Sequence, residues 1–261
     1  MLIETSTAAA AKAWLDRDGT LLRVRLDRPK ANLIDAQMIA SLQTTLEAGR
    51  ESRGLRGVLL DATGPHFSFG ASVEEHLAPH CAQMLRSLHA LILSMLEFPA
   101  PILVAVRGQC LGGGLELALG GSLIFAAENA HFGQPEMKLG VFAPAASCLL
   151  RYHVSQHVAE DLLLSGRTIT ADEALAHGLL HAVALDPEAA ALAYFDAHLR
   201  GKSAASLALA LTAARAPMIS HVKKRLADVE ALYLERLMRT HDANEGLAAF
   251  LDKREPAWED D

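Results

Sequence analysis

Three glycines and two glutamates carry the chemistry this sequence suggests. Gly112, Gly113 and Gly114 follow an apolar run at 102–106, and Glu116 stands three residues after Gly113. Glycines let a ligand approach the backbone closely. If a helix starts there, its unpaired N–H groups face that ligand. One short element would then hold an oxyanion donor and a carboxylate side by side. The second carboxylate, Glu136, stands behind the stretch Phe132, Gly133, Gln134, Pro135, after another apolar run at 123–127. Two carboxyls at one pocket can orient a water as acid and base. A third segment, FSFGAS at 67–72, follows the apolar run GVLLD and a Gly64–Pro65 turn. Gly70 and the small residues after it can present a further N–H. Taken singly, each segment has a plainer reading: a turn for tight strand–helix packing, two unrelated surface glutamates, an ordinary loop.

Other chemistries find less support. No Lys–Ser/Thr pair follows the glycines, and neither GxGxxG nor GxSxG occurs. His76, His80 and Cys81, and separately His153 and His157, have spacings that could suit a metal. Pro79 interrupts the first set and neither has an obvious further ligand cluster, so no metal is expected. Cys110 lies beside the glycines with nothing near it in sequence to activate it, and reads as a packing residue.

The elements that must position these groups are legible in outline. Residues 20–26 alternate, with Arg23 and Arg25 on one face, as in a half-buried strand. Asp35 can cap a helix carrying Ile39, Leu42 and Leu46. Residues 57–61, 102–106 and 123–127 read as buried strands, 80–96 and 115–119 as helices. Beyond about 154 strands mostly disappear. Thr170 and Glu173 suit a capping box, and 187–215 and 219–250 read as helices. The second carries a stripe of Ile219, Val222, Leu226, Val229 and Leu232, to be buried in the core or on a partner.

The 261 residues are 51% hydrophobic, 21% charged and 5% aromatic, which excludes a disordered or fibrous chain and favours α/β packing. A net charge of −7 gives no basic field for nucleic acid or for an anionic membrane surface. Three cysteines without CxxC spacing suit a reducing compartment. The first residues lack a secretory pattern, and the longest apolar stretch is interrupted by Glu116. The expectation is a cytoplasmic protein.

Six segments together resemble the crotonase (enoyl-CoA hydratase/isomerase) superfamily over nearly the whole chain: LDRPKANLID, HFSFGAS, PILVAVRGQCLGGGLELAL, AHFGQPEMKLGVF, LLLSGRTITADEALAHGLL and HDANEGLAAFLDKREPAW. The resemblance implies an α/β fold, the ClpP/crotonase-like spiral of strand–strand–helix units. It implies an active-site core over 1–200 and a helical C-terminal region over 201–261 that builds homotrimers, commonly paired into hexamers, and covers the CoA site. The substrate would be an acyl-CoA thioester, with no cofactor beyond the CoA it carries. The N–H groups of Ala71 and Gly113 would form the oxyanion hole. Glu116 and Glu136 would be the catalytic pair, Glu116 as base and Glu136 as acid. Isomerases of this superfamily often keep one of the two, so the pair favours water addition.

Substrate contacts implied in the same way are Lys30 and Ala31 near the CoA adenine, with Arg28 and Lys30 offsetting phosphate charge. Ser72, Val73, Gly112 and Pro135 would also contact substrate, Phe142, Ala143 and Pro144 would lie near the acyl pocket, and Phe250 and Lys253 would reach CoA on a neighbouring subunit. Two departures stand out: Ser72 replaces the usual acidic residue of GAD, and FAPAASCLL at 142–150 replaces a GAGGTQRL-like stretch. The latter could shape a slot for a compact ring. At closer range, GPHFSFGAS, RGQCLGGGLE, FGQPEMKLGVFAPAASCLL and VEALYLERLM resemble the branch that hydrates cyclohexa-1,5-diene-1-carbonyl-CoA in anaerobic benzoyl-CoA degradation. That reaction is a 1,4-addition giving 6-hydroxycyclohex-1-ene-1-carbonyl-CoA. A general enoyl-CoA hydratase, an isomerase and a non-catalytic binding protein on the same fold are the alternatives.

Overall fold

The computed structural model describes residues 10–261. β1 (Ala11–Asp16) and β2 (Leu21–Leu26) pair antiparallel. α1 (Ala36–Arg50) follows, capped by Asp35, whose carboxylate accepts the Met38 N–H at 2.9 Å. Its Ile39, Leu42 and Leu46 are buried, as their spacing predicts. β3 (Gly57–Ala62), α2 (Cys81–Leu96) and β4 (Ile102–Val106) come next. β5 (Gln109–Leu111), α3 (Gly113–Leu119), β6 (Leu123–Ala126) and β7 (His131–Gly133) complete the site-bearing half. α4 (Pro144–Leu149), α5 (Gln156–Ser165), β8 (Thr168–Thr170), α6 (Ala171–Ala176) and β9 (Ala182–Val183) lie beyond it. Three helices end the chain: α7 (Pro187–Tyr194), α8 (Ala204–Glu235) and α9 (His241–Asp252).

Two sheets result. The larger has the order β1-β2-β3-β4-β6-β9 and is parallel from β2 onward; the smaller has the order β5-β7-β8. All five residues of β4 are buried, because it is a central parallel strand with a core on each face. The second core, with Leu21, Leu59, Leu103 and Phe125, is closed by Ala191 and Phe195 from and just after α7.

That cover corrects the half-buried reading of β2. Arg23 is buried, not open to solvent. Its Nη2 donates to Asp61 Oδ2 at 3.1 Å and pairs with Glu188 of α7. Arg25 Nε donates to Asp61 Oδ1 at 2.6 Å. Both guanidinium groups lie over the Trp14 ring, at 5.0 and 5.3 Å from its centroid. An alternating pattern finds a partner for its polar face when that partner is an acidic residue of the neighbouring strand.

The C-terminal half departs further from its periodicity. β8 and β9 exist where strands were expected to be scarce. The capping box forms: the Thr170 side chain accepts from Glu173 N at 3.2 Å, and Thr170 N donates to Glu173 at 2.9 Å. The break expected at 216–218 is absent: α8 runs through Pro217 to Glu235, and the breaks lie between α7 and α8 and, within the expected helix 219–250, between α8 and α9. Proline there removes one helix hydrogen bond. Tertiary anchoring offsets it: buried Arg215 donates to the carbonyls of Leu96 and Gly121 at 3.2 and 2.6 Å. Val222, Leu226 and Val229 enter the main core, whereas Leu232 is 43% exposed and Tyr233 is buried in its place.

Candidate active site

Two three-residue strands set the site. β5 and β7 pair in parallel with Leu111 opposite Gly133, and the Gly112 N–H donates to the Gly133 carbonyl at 3.0 Å. The chains leaving these strands are therefore adjacent. One becomes α3, carrying Glu116; the other becomes a 3-10 turn, Pro135–Leu139, carrying Glu136. Gly112 is the hinge, at φ +49°. A Cβ there would lie 2.5 Å from Glu136 Oε1, so the acidic head fits only over a bare Cα.

The FSFGAS segment is stitched beside the glycines by one buried serine. The Ser68 N–H donates to the Gln109 carbonyl at 2.9 Å, and the Leu111 N–H to the Ser68 carbonyl at 3.0 Å. The Ser68 hydroxyl donates to the Asn32 carbonyl at 2.8 Å and accepts the Gly70 N–H at 3.1 Å. Ala71 thereby lies against Gly113: a Cβ on Gly113 would meet Ala71 N at 3.0 Å. Gly113 is the first residue of α3, where N–H groups lack helical acceptors, and no turn or loop acceptor takes the Ala71 N–H among the described residues. The pair can converge on one oxygen.

The carboxyls have different surroundings. Glu116 is buried, and its Oε1 accepts the Ala146 N–H from α4 at 2.8 Å. The backbone of segment 142–150 thus holds one glutamate. Sequence reasoning missed this because any residue but proline supplies that N–H. Burial raises the Glu116 carboxyl, and the Ala146 N–H opposes the shift. Glu136 is held by Gln134, also missed: with its amide nitrogen turned to the carboxyl, Gln134 donates to Oε1 and Oε2 at 3.2 and 3.0 Å. Burial, then the Glu116 charge, pushes Glu136 up from 4.5 to about 8. Burial lifts both carboxyls, and such a pair shares one proton near neutrality.

The sign of that shift is testable. Folding strengthens proton binding at Glu136, so the linked stability is complete below about 4.5 and is lost as pH climbs through about 8. Denaturant midpoints of the wild type and Glu136→Gln, compared from about pH 5 to about pH 9, are expected to diverge, the wild type losing ground as pH rises. Parallel curves would contradict the protonated assignment.

The remaining expected site residues are distributed as follows. Lys30 and Ala31 line a surface cleft of about 470 Å³ with Asp27, Arg28, Pro29 and Leu33. Arg28 is paired with Asp35 within the chain, which competes with the phosphate role expected of it. The Ala31 carbonyl accepts the Phe69 N–H at 2.9 Å, tying this cleft to the oxyanion segment. Ser72 and Val73 directly follow Ala71 and lead into a short 3-10 turn; His76 turns back on the Ser72 carbonyl at 2.8 Å. Pro135 opens the Glu136 turn, and Phe142, Ala143 and Pro144 lead into α4. Phe250 is exposed near the end of α9, and Lys253 caps that helix. Cys110 is enclosed in β5 with its thiol pushed far up by burial, which suits packing rather than reactivity.

The sequence pattern of the Enoyl-CoA hydratase/isomerase family matches residues 16–261. The chain belongs to this family. Among its relatives, the cyclohexa-1,5-dienecarbonyl-CoA hydratase of Thauera aromatica is 58% identical over 255 residues, covering 98% of this chain and 99% of that one. A probable mitochondrial enoyl-CoA hydratase 2 of Arabidopsis thaliana is 32% identical, covering 99% of this chain and 88% of that one. Among solved structures, an enoyl-CoA hydratase/isomerase from Pseudoalteromonas atlantica T6c matches this family member with a TM-score of 0.82 at 27% identity, covering 95% and 99% of the two chains. No helix among the described residues of this hydratase-family chain is long and apolar enough to cross a membrane.

Proposed function

We propose that this chain adds water 1,4 across the ring of cyclohexa-1,5-diene-1-carbonyl-CoA, giving 6-hydroxycyclohex-1-ene-1-carbonyl-CoA, as a cytoplasmic step of anaerobic benzoyl-CoA degradation. The observation that carries this reading is the 58% identity, over nearly both full chains, to a hydratase of that substrate. The site geometry supplies the chemistry. The thioester oxygen sits between the Ala71 and Gly113 N–H groups. Glu116, acting as the base, removes a proton from water as the oxygen bonds to the ring carbon β to the thioester. Electrons move through the ring double bond onto the thioester oxygen, and the oxyanion hole stabilises the resulting dienolate. Collapse of the dienolate takes the Glu136 proton onto the far carbon of the second double bond. One proton has left water and one has reached carbon; transfer between the two carboxyls resets the pair.

We further assign residues 1–200 as the catalytic unit and residues 201–261 to homotrimer or hexamer assembly and to cover of the CoA site. Exposed apolar side chains on these last helices, Leu209 and Phe250 among them, support that role. CoA itself is the only cofactor moiety, and it arrives with the substrate.

Initial kcat/KM with the ring diene thioester and with crotonyl-CoA, followed by chromatography of the CoA esters, tests the assignment. Preference for the ring diene of about a hundredfold is expected from pocket discrimination. Preference for crotonyl-CoA would replace the ring reading with a general enoyl-CoA hydratase.

A further inference from the structure

Tyr233 on α8 is fully buried, yet its hydroxyl has no hydrogen-bond partner among the described residues. A buried phenol ordinarily finds an acceptor, so this hydroxyl is free to serve a bound molecule. Its surroundings identify that place. The Tyr233 ring meets Phe142 edge-on, with centroids 5.2 Å apart at 70°. Phe142 leads into the helix whose Ala146 N–H holds Glu116. Tyr233 also packs in one cluster with Val141, whose N–H donates to the Glu136 carbonyl at 3.2 Å. The Tyr233 ring therefore packs on the segment that joins the two glutamates. Burial, with the charge of the carboxyl pair adding to it, keeps the hydroxyl protonated and so available as a donor.

We propose that the Tyr233 hydroxyl is the third ligand of the reacting oxygen, donating to it as water before addition and as the ring hydroxyl afterwards. Glu116 accepts from that oxygen and Glu136 supplies the proton to carbon, which leaves one lone pair of the oxygen without a donor. The thioester oxygen is served by Ala71 and Gly113, so the added oxygen is the substrate atom left for the phenol. This inference rests on the ring-hydration reading above.

Tyr233→Phe removes the hydroxyl and keeps the ring contact with Phe142. Binding of two thioesters to wild type and variant separates the roles: the hydroxylated product, and cyclohex-1-ene-1-carbonyl-CoA, which lacks the hydroxyl. The variant is expected to lose about tenfold in affinity for the product and none for the cyclohexene ester, a hydrogen bond's contribution. Its kcat is expected to fall with KM little changed, and its melting temperature to stay level or rise, since an unsatisfied donor has gone. Equal loss for both esters, or a lower melting temperature accounting for the lost activity, would overturn the proposal and leave a structural hydroxyl. Wild type binding neither ester would refute the ring reading and this inference with it; binding of both with unchanged product affinity in the variant would refute the inference alone.

Discussion

Glu136→Gln is expected to lower kcat for hydration of the ring diene by about a thousandfold, and Glu116→Gln by a similar factor, in line with the loss of a positioned acid or base. Glutamine matches the shape of each group. At 116 its amide oxygen can still accept the Ala146 N–H, and at 136 its amide can still meet Gln134. Folding is therefore kept while proton transfer is lost. The two variants differ in their secondary effect. Glu116→Gln removes the negative charge that helps hold Glu136 near 8, so the remaining carboxyl moves back toward the ordinary range. Circular dichroism checks the fold, and single-turnover rates separate chemistry from binding. Retention of more than about a tenth of the activity in either variant would remove that glutamate from the mechanism.

Gly113→Ala is expected to cost about 10²- to 10³-fold in kcat/KM, the loss seen when an oxyanion donor is removed. Gly113 is not in a left-handed conformation, so alanine suits its backbone. The obstacle is space, because the new methyl would lie 3.0 Å from Ala71 N and 3.1 Å from Ala71 Cβ. It fills the gap between the two N–H groups proposed to hold the thioester oxygen. The carboxyl pair is untouched, so the shift of Glu136 should survive and the variant should show the same pH dependence of stability as the wild type. A variant with normal kcat/KM would mean that the thioester oxygen binds elsewhere.

Much of this site was readable in sequence because its residues fall at the ends of strongly patterned segments. Ile102–Val106 announces a buried strand, and the glycines after it announce a turn. What was not readable is how these ends meet. β5 and β7 are three residues each, too short for periodicity to register, yet their pairing places Gly112 against Glu136. Ala146 was invisible for a different reason: it acts through its backbone N–H, which leaves no trace in residue type. The helix break was misplaced because Pro217 is a local signal, overruled by the tertiary anchors of Arg215. The exposed Leu232 and buried Tyr233 show the same override by one position on α8.

In the proposed mechanism Glu136 delivers its proton to the far end of the diene while Ala71 and Gly113 hold the thioester charge. Hydration run in D2O, with the product's deuterium located by NMR, reads out where that proton goes. Deuterium is expected on the ring carbon that ended the second double bond, allylic in the product and across the ring from the new hydroxyl. Deuterium on the carbon bearing the thioester would show simple 1,2-addition and rule out 1,4-addition.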